Sequence, residues 1–131
     1  GSNWEASMSA AHYGLDNLVV IVDRNGLQIT GRTEEVTQLA PLWDKFSAFG
    51  YAVREVDGND VAELVRIFDQ IPFENGKPSL ILARTTKGKG ISFIEDQASW
   101  HHHVPNDKEF AVAMSELQLA EEAWQVQYGT R

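Results

Sequence analysis

The spacing of apolar positions changes period repeatedly along the chain, and each change predicts an element. Between Asn3 and Tyr13 the small and apolar residues Trp4, Ala6, Met8, Ala10 and Ala11 predict a short, tightly packed helix stopped at Gly14. Leu18 to Val22 is an unbroken apolar run, the pattern of a strand buried on both faces. Pro41 to Phe49 predicts a helix with proline near its first turn and Gly50 at its end. Tyr51 to Val56 alternates as a strand does, and "DGND" ends it. Val61, Leu64, Val65, Phe68 and Ile71 then recur three or four apart, so they predict an amphipathic helix capped by Asn59 or Asp60 and closed before Pro72. Ser79 to Ala83 is a further buried strand. Asp107 is placed to cap a last helix whose apolar stripe runs through Phe110, Met114, Leu117 and Trp124. Strands separated by helices predict an α/β fold, a parallel sheet flanked by helices on both faces and joined by right-handed crossovers.

Composition narrows what such a fold can serve. A length of 131 residues, with 43% hydrophobic and 23% charged positions, suits one globular domain. The net charge of -8 disfavours nucleic acid and anionic membrane as partners. With no cysteine there is no disulfide, thiolate metal site or cysteine nucleophile. No apolar run approaches the roughly 18 residues of a membrane span, and the first residues do not read as a signal peptide. The expected location is cytoplasmic.

In parallel α/β sheets, ligands gather at the carboxyl ends of the strands. This draws attention to "NLVVIVDRNGLQITG", where an apolar run ends abruptly on Asp23, Arg24 and Asn25. Asn25 could offer its side-chain oxygen and Leu27 its main-chain oxygen to a hard cation such as magnesium. The same "DRNG" is also simply a turn, with Asn-Gly supplying left-handed backbone. "TTKGKG", Thr85 to Gly90, follows the Ser79 to Ala83 strand; its amides and lysines suit an anion, and equally a solvated connection without Walker spacing. Three consecutive histidines, His101 to His103, would point to alternate faces of an extended chain, so zinc is not expected there. His12 reads as a packed or hydrogen-bonded histidine of the core. Trp4, Trp43, Trp100 and Trp124 read as packing or interface residues.

The string "NWEASMSAAHYGLDNLVVIVDRNGLQITGRTEEV" resembles the C-terminal portion of the thiamine diphosphate motif of transketolases. "FSAFGYAVREVDGND", "PSLILARTTKGKGISFIED" and "WHHHVPND" continue the resemblance in order over nearly the whole chain. It implies a flavodoxin-like, thiamine diphosphate-binding fold with Mg2+ gripping the cofactor diphosphate. Asn25 matches the family's metal-binding asparagine, Leu27 the residue lending its carbonyl to the metal, and Ile29 an apolar residue packed on the cofactor rings. A family histidine that reaches the diphosphate and substrate matches His101 or His102, counting back from Pro105, with His102 favoured. Glu5 matches an acid of a subunit-interface proton relay, and it is equally a first-turn glutamate favoured by the helix dipole.

The family's Gly-Asp-Gly, which supplies a metal-binding carboxylate, is absent from these residues. Asp16 and Asp23 are the nearest acids in sequence. The expectation is therefore one domain over residues 1–131, a truncated pyrophosphate-binding domain lacking its N-terminal part. The resemblance implies two-carbon transfer between ketose and aldose phosphates in the complete enzyme. It also implies a partner carrying the pyrimidine-binding domain, as a C-terminal subunit, in a homo- or hetero-oligomer. Alternatives are a non-catalytic scaffold that does not hold the cofactor, or part of a deoxyxylulose phosphate synthase. A generic nucleotide-binding domain is disfavoured for want of a phosphate-loop fingerprint.

Overall fold

The computed structural model describes residues 1–129, and Thr130 and Arg131, the last two residues of the expected domain, lie outside it. The chain divides into two compact units, residues 1–25 with 37–85 and residues 26–36 with 86–131.

The first unit is built on a parallel sheet. Helix α1 (Ser2–His12) leads to strand β1 (Val19–Arg24). In the second unit a small hairpin, β2 (Leu27–Gln28) and β3 (Gly31–Arg32), precedes a single turn α2 (Thr33–Val36). The first unit resumes with α3 (Leu42–Phe49), β4 (Ala52–Asp57), α4 (Val61–Phe68) and β5 (Ser79–Arg84). Its strands lie in the order β1-β5-β4, all parallel, with Val20 and Val53 flanking Leu80. The parallel sheet flanked by helices is thus present as the sequence predicts.

Alternation along β5 feeds two cores. Leu80 and Leu82 point with Val53 towards Ala10 of α1 and Leu42 and Phe46 of α3. Trp4 joins them, its ring centroid 5.5 Å from that of Phe46. Ile81 and Ala83 point the other way, with Val56, towards Leu64 and Ile67 of α4. Ser79 is fully buried between the strands, and its hydroxyl accepts a hydrogen bond from the Phe73 N–H at 3.2 Å. This partner removes the penalty of a buried polar group.

Several expectations about burial need correction. β1 is an edge strand rather than one buried on both faces, and Ile21 remains 53% exposed. The reason is coverage: α4 packs over β4 and β5 and leaves the Ile21 position open. The strand also runs two residues further than its apolar run, because Asp23 and Arg24 stay in register with Ala83 and Arg84. In α4, Leu64 and Ile67 pack inward while Val61, Val65 and Phe68 are exposed, so the apolar stripe is wider than the surface it meets. α1 buries only Ser7 and Ala10, and His12 lies on the surface edge-on to Tyr13, not in the core. Asp60, one of the two expected caps, accepts from the Glu63 N–H at 3.0 Å and starts α4.

The second unit closes with a 3-10 turn (Ala98–His101) and the 22-residue helix α5 (Asp107–Tyr128). Its cap is Asn106 rather than Asp107, in a capping box with Glu109. Of the expected stripe, Phe110, Met114, Leu117 and Trp124 all remain exposed, and Ala113 is the buried residue of this helix. No helix among the described residues is long and apolar enough to cross a membrane.

The asymmetry between β5 and β1 is measurable. Ile81→Ala should lower the unfolding free energy by about 2–5 kcal/mol in urea titrations, as a core truncation does. Ile21→Ala should change it by less than about 1 kcal/mol, as at a half-exposed position.

Candidate functional site

Parallel pairing sends the carboxyl ends of β1, β4 and β5 to one edge of the sheet. Asp23, Asp57 and Thr85 therefore cluster at or just beyond that edge. The Asp23 carboxylate accepts hydrogen bonds from the Thr85 hydroxyl and from the Asn25 amide nitrogen, the latter at 3.4 Å. With its nitrogen turned to Asp23, the Asn25 amide has its oxygen as the end suited to a cation. Asp16 belongs elsewhere: it precedes β1 and accepts from the Gly76 N–H at 3.0 Å, at the opposite edge. Of the two acids nearest in sequence, only Asp23 shares the strand end with Asn25.

Gly58 keeps this edge tight. Its N–H donates to the Arg84 carbonyl at 2.7 Å, and a Cβ there would sit 2.6 Å from Thr85 Cγ2 and 2.9 Å from Ala83 Cβ. Only a residue without a side chain permits that approach. The "DGND" punctuation therefore does more than end a strand. Glu5 stands in the first turn of α1, exposed, at a position the helix dipole favours, and not among these strand ends.

The second unit carries the remaining candidates. Leu27 pairs with Arg32 and Gln28 with Gly31 across the hairpin, so Ile29 sits in its connecting turn, 51% exposed. Arg32 in turn meets Asp96, its Nη1 donating to Oδ1 at 2.7 Å. His101 ends the 3-10 turn and His102 caps it; both are exposed, with ring centroids 4.5 Å apart. The turn, unlike an extended chain, brings these two rings together. His103 goes a separate way, packing edge-on to Trp100 at 4.2 Å, with Nε2 3.3 Å from Glu109 Oε2. Ser99, Trp100, His103 and Glu109 line an open hollow of about 280 Å³. The sequence reading missed the His103–Glu109 pair, although Asn106 and Glu109 form the spacing of a capping box that could have signalled it. Among the described residues, no three or more His, Asp or Glu side chains group to hold a metal ion.

The glycine loop does receive an anion, but from its own chain. Gly90 N–H donates to Glu95 Oε1 at 2.9 Å, and Lys89 Nζ lies 3.4 Å from the same oxygen. The amide first, with the lysine adding to it, holds the Glu95 carboxyl below the ordinary range. The Arg32 guanidinium does the same to Asp96, the Asn106 amide and then His103 to Glu109, and the Ser92 hydroxyl and amide to Glu116. Because these folded-state values are depressed, the carboxylates favour the folded unit fully above the ordinary range of about pH 4. That contribution fades as pH falls through the lowered values. In hydrogen-exchange NMR from about pH 6 to about pH 3, protection at Gly90, Ser92 and Asn106 should fall well before protection along β5.

Comparison with known proteins follows the same residues. The family model of the transketolase, thiamine diphosphate binding domain matches residues 1–128. One of the two apulose-4-phosphate transketolase subunits, that of Phocaeicola vulgatus, is 46% identical over 117 residues, covering 89% of this chain and 42% of that protein. The 6-deoxy-6-sulfo-D-fructose transketolase subunit SqwG of Clostridium sp. is 41% identical over 118 residues, covering 90% of this chain and 43% of that protein. This chain thus spans about two fifths of the length of these relatives. The crystal structure of transketolase from Campylobacter jejuni superposes with a TM-score of 0.68 at 23% identity, over 99% of this chain and 24% of that one, a likeness of fold. The chain belongs to the transketolase family, within its thiamine diphosphate-binding domain.

Proposed function

We propose that this chain forms the diphosphate-holding part of a transketolase that moves a two-carbon glycolaldehyde unit from a ketose phosphate to an aldose phosphate. The observation that carries this reading is the family match over residues 1–128, which contains the strand-end edge with Asp23, Asn25 and Thr85. Bound thiamine diphosphate supplies the nucleophilic carbon for that chemistry. The residues here fit such a group in kind. An amide oxygen at Asn25 and a main-chain oxygen at Leu27 are hard donors suited to Mg2+, which takes its other ligands from phosphate oxygens.

In this proposal Asn25 and Leu27 are metal ligands. Asp23 orients the Asn25 amide through its hydrogen bond. Ile29, half-exposed in the hairpin turn, offers an apolar surface to the cofactor rings. His101 or His102 hydrogen-bonds the diphosphate or moves a proton to substrate, since imidazole titrates near neutral pH. Their exposure supports access from solvent. Glu5 is the interface acid of the relay, and its exposed place on α1 is one that a neighbouring chain can reach. No Gly-Asp-Gly lies within the 131 residues, so this chain contributes neutral metal ligands only. The pyrimidine-binding domain belongs to a partner. Relatives whose names make them transketolase subunits support a division of the enzyme between chains.

Calorimetric titration of the assembled enzyme with thiamine diphosphate, with and without Mg2+, tests the reading. Binding should require Mg2+ and weaken at least about tenfold in Asn25→Ala, the scale of a lost or misplaced ligand. Wild-type affinity without Mg2+, or in Asn25→Ala, would sink the metal assignment. Steady-state kinetics should then separate the histidines. One of His101→Ala and His102→Ala should lose about 100-fold in kcat/KM, with the other near wild type; no loss in either removes both from the mechanism.

A further inference from the structure

Within the second unit, the hairpin holding Leu27 and Ile29 is tied to the loop of residues 86–96 by partners 64 positions apart in sequence. Arg32 Nη1 donates to Asp96 Oδ1 at 2.7 Å and Nη2 donates to Oδ2. Two parallel bonds between a planar guanidinium and a carboxylate fix orientation as well as distance. Arg32 is also the direct cross-strand partner of Leu27. One rung of the ladder therefore separates this clasp from the main-chain oxygen assigned to the metal.

The backbone at the other end of the clasp is unusual. Asp96 has φ of 58°, the one non-glycine among the described residues in the left-handed region. That region is unfavourable for any residue with a Cβ, although aspartate tolerates it better than most. The loop itself holds Asp96 there. The Asp96 N–H donates to the Lys87 carbonyl at 2.9 Å, and the adjacent Glu95 closes on Gly90 and Lys89. Gly88, also left-handed, lies so close to Ile94 that a Cβ would come within 2.4 Å of its Cγ2. A loop closed on itself thus offers a fixed carboxylate to a hairpin from a distant part of the chain. Retained backbone strain of this kind points to a positional role.

We infer that Arg32 and Asp96 are a positioning pair that sets where the hairpin presents the Leu27 oxygen and the Ile29 side chain, and thereby sets affinity for the cofactor. This rests on the cofactor-binding reading above. Both side chains are about half exposed, 51% for Arg32 and 43% for Asp96. An ion pair so exposed adds little to global stability. Its effect belongs in affinity and local order, where a purely structural pair would leave no mark.

The experiment uses the assembled enzyme with three variants. Arg32→Lys keeps the charge but loses the fork; Asp96→Asn keeps a residue that accepts left-handed backbone but loses the charge. Each should weaken Mg2+-dependent binding of thiamine diphosphate about tenfold by calorimetry. The double variant should be no weaker than the worse single, since both remove one interaction. Amide exchange across residues 27–32 should speed up in all three, with the thermal midpoint near wild type. Wild-type affinity with unchanged exchange in the single variants, or losses that add in the double variant, overturns the inference. A wild-type enzyme that takes up no cofactor overturns the functional reading instead. Amide exchange then decides the clasp alone: faster exchange in the variants supports it, and unchanged exchange overturns it.

Discussion

The first unit depends on the burial of one strand. β5 lies between two parallel neighbours, with Leu80 and Ile81 wholly removed from water, and successive residues serve opposite cores. Any other register would put Leu80 where Ile81 stands and exchange both cores at once. Because both neighbours run in the same direction as β5, their polar carboxyl ends arrive together. That answers why an apolar run gives way to Asp-Arg-Asn-Gly: the edge of a parallel sheet is where helices cease to cover the strands. Polar groups reaching that edge need partners, and Asp23 finds them in Thr85 and Asn25.

The close approach at that edge comes from a missing side chain. Gly58 hydrogen-bonds Arg84 and would strike Thr85 and Ala83 if it carried a Cβ. Asp57 meanwhile accepts from the Asn59 N–H at 2.9 Å, and the Asp57 N–H donates to Glu63 of α4 at 3.1 Å. The four residues "DGND" thus link the end of β4, the end of β5 and the start of α4. Here the packing of the sheet and the arrangement of polar groups at its edge have a single cause.

Local patterns in the sequence translated well into elements and poorly into burial. The three main strands and the helices around them follow from periods of 2 and 3.6 together with glycine and proline boundaries. Whether an apolar face is covered depends on what lies opposite it, which period does not record. Ile21, Val65 and Phe110 carry the apolar signal of core residues and remain exposed. The hairpin at Leu27 and Arg32 escaped notice because two-residue strands have no period, and its tie to Asp96 spans 64 positions. Asn25 and Leu27 were legible as oxygen donors from their place after the run. The partnership of Asn25 with Asp23, like that of His103 with Glu109, needed coordinates.

The glycine loop shows how self-satisfaction limits a site. Glycines and lysines after a strand suggest a cradle for an external anion, and the amide of Gly90 and the ammonium of Lys89 are suited to one. Both already face Glu95. A phosphate arriving there would have to displace a tethered carboxylate at high effective concentration, and the displaced carboxylate would lose the amide that depresses its pKa. The exposed His101 and His102, side by side at the end of a 3-10 turn, carry no such internal occupant in the hydrogen bonds and ion pairs described above. Within this unit, recognition of an external phosphate is therefore easier at the histidines than at the loop whose composition advertises it.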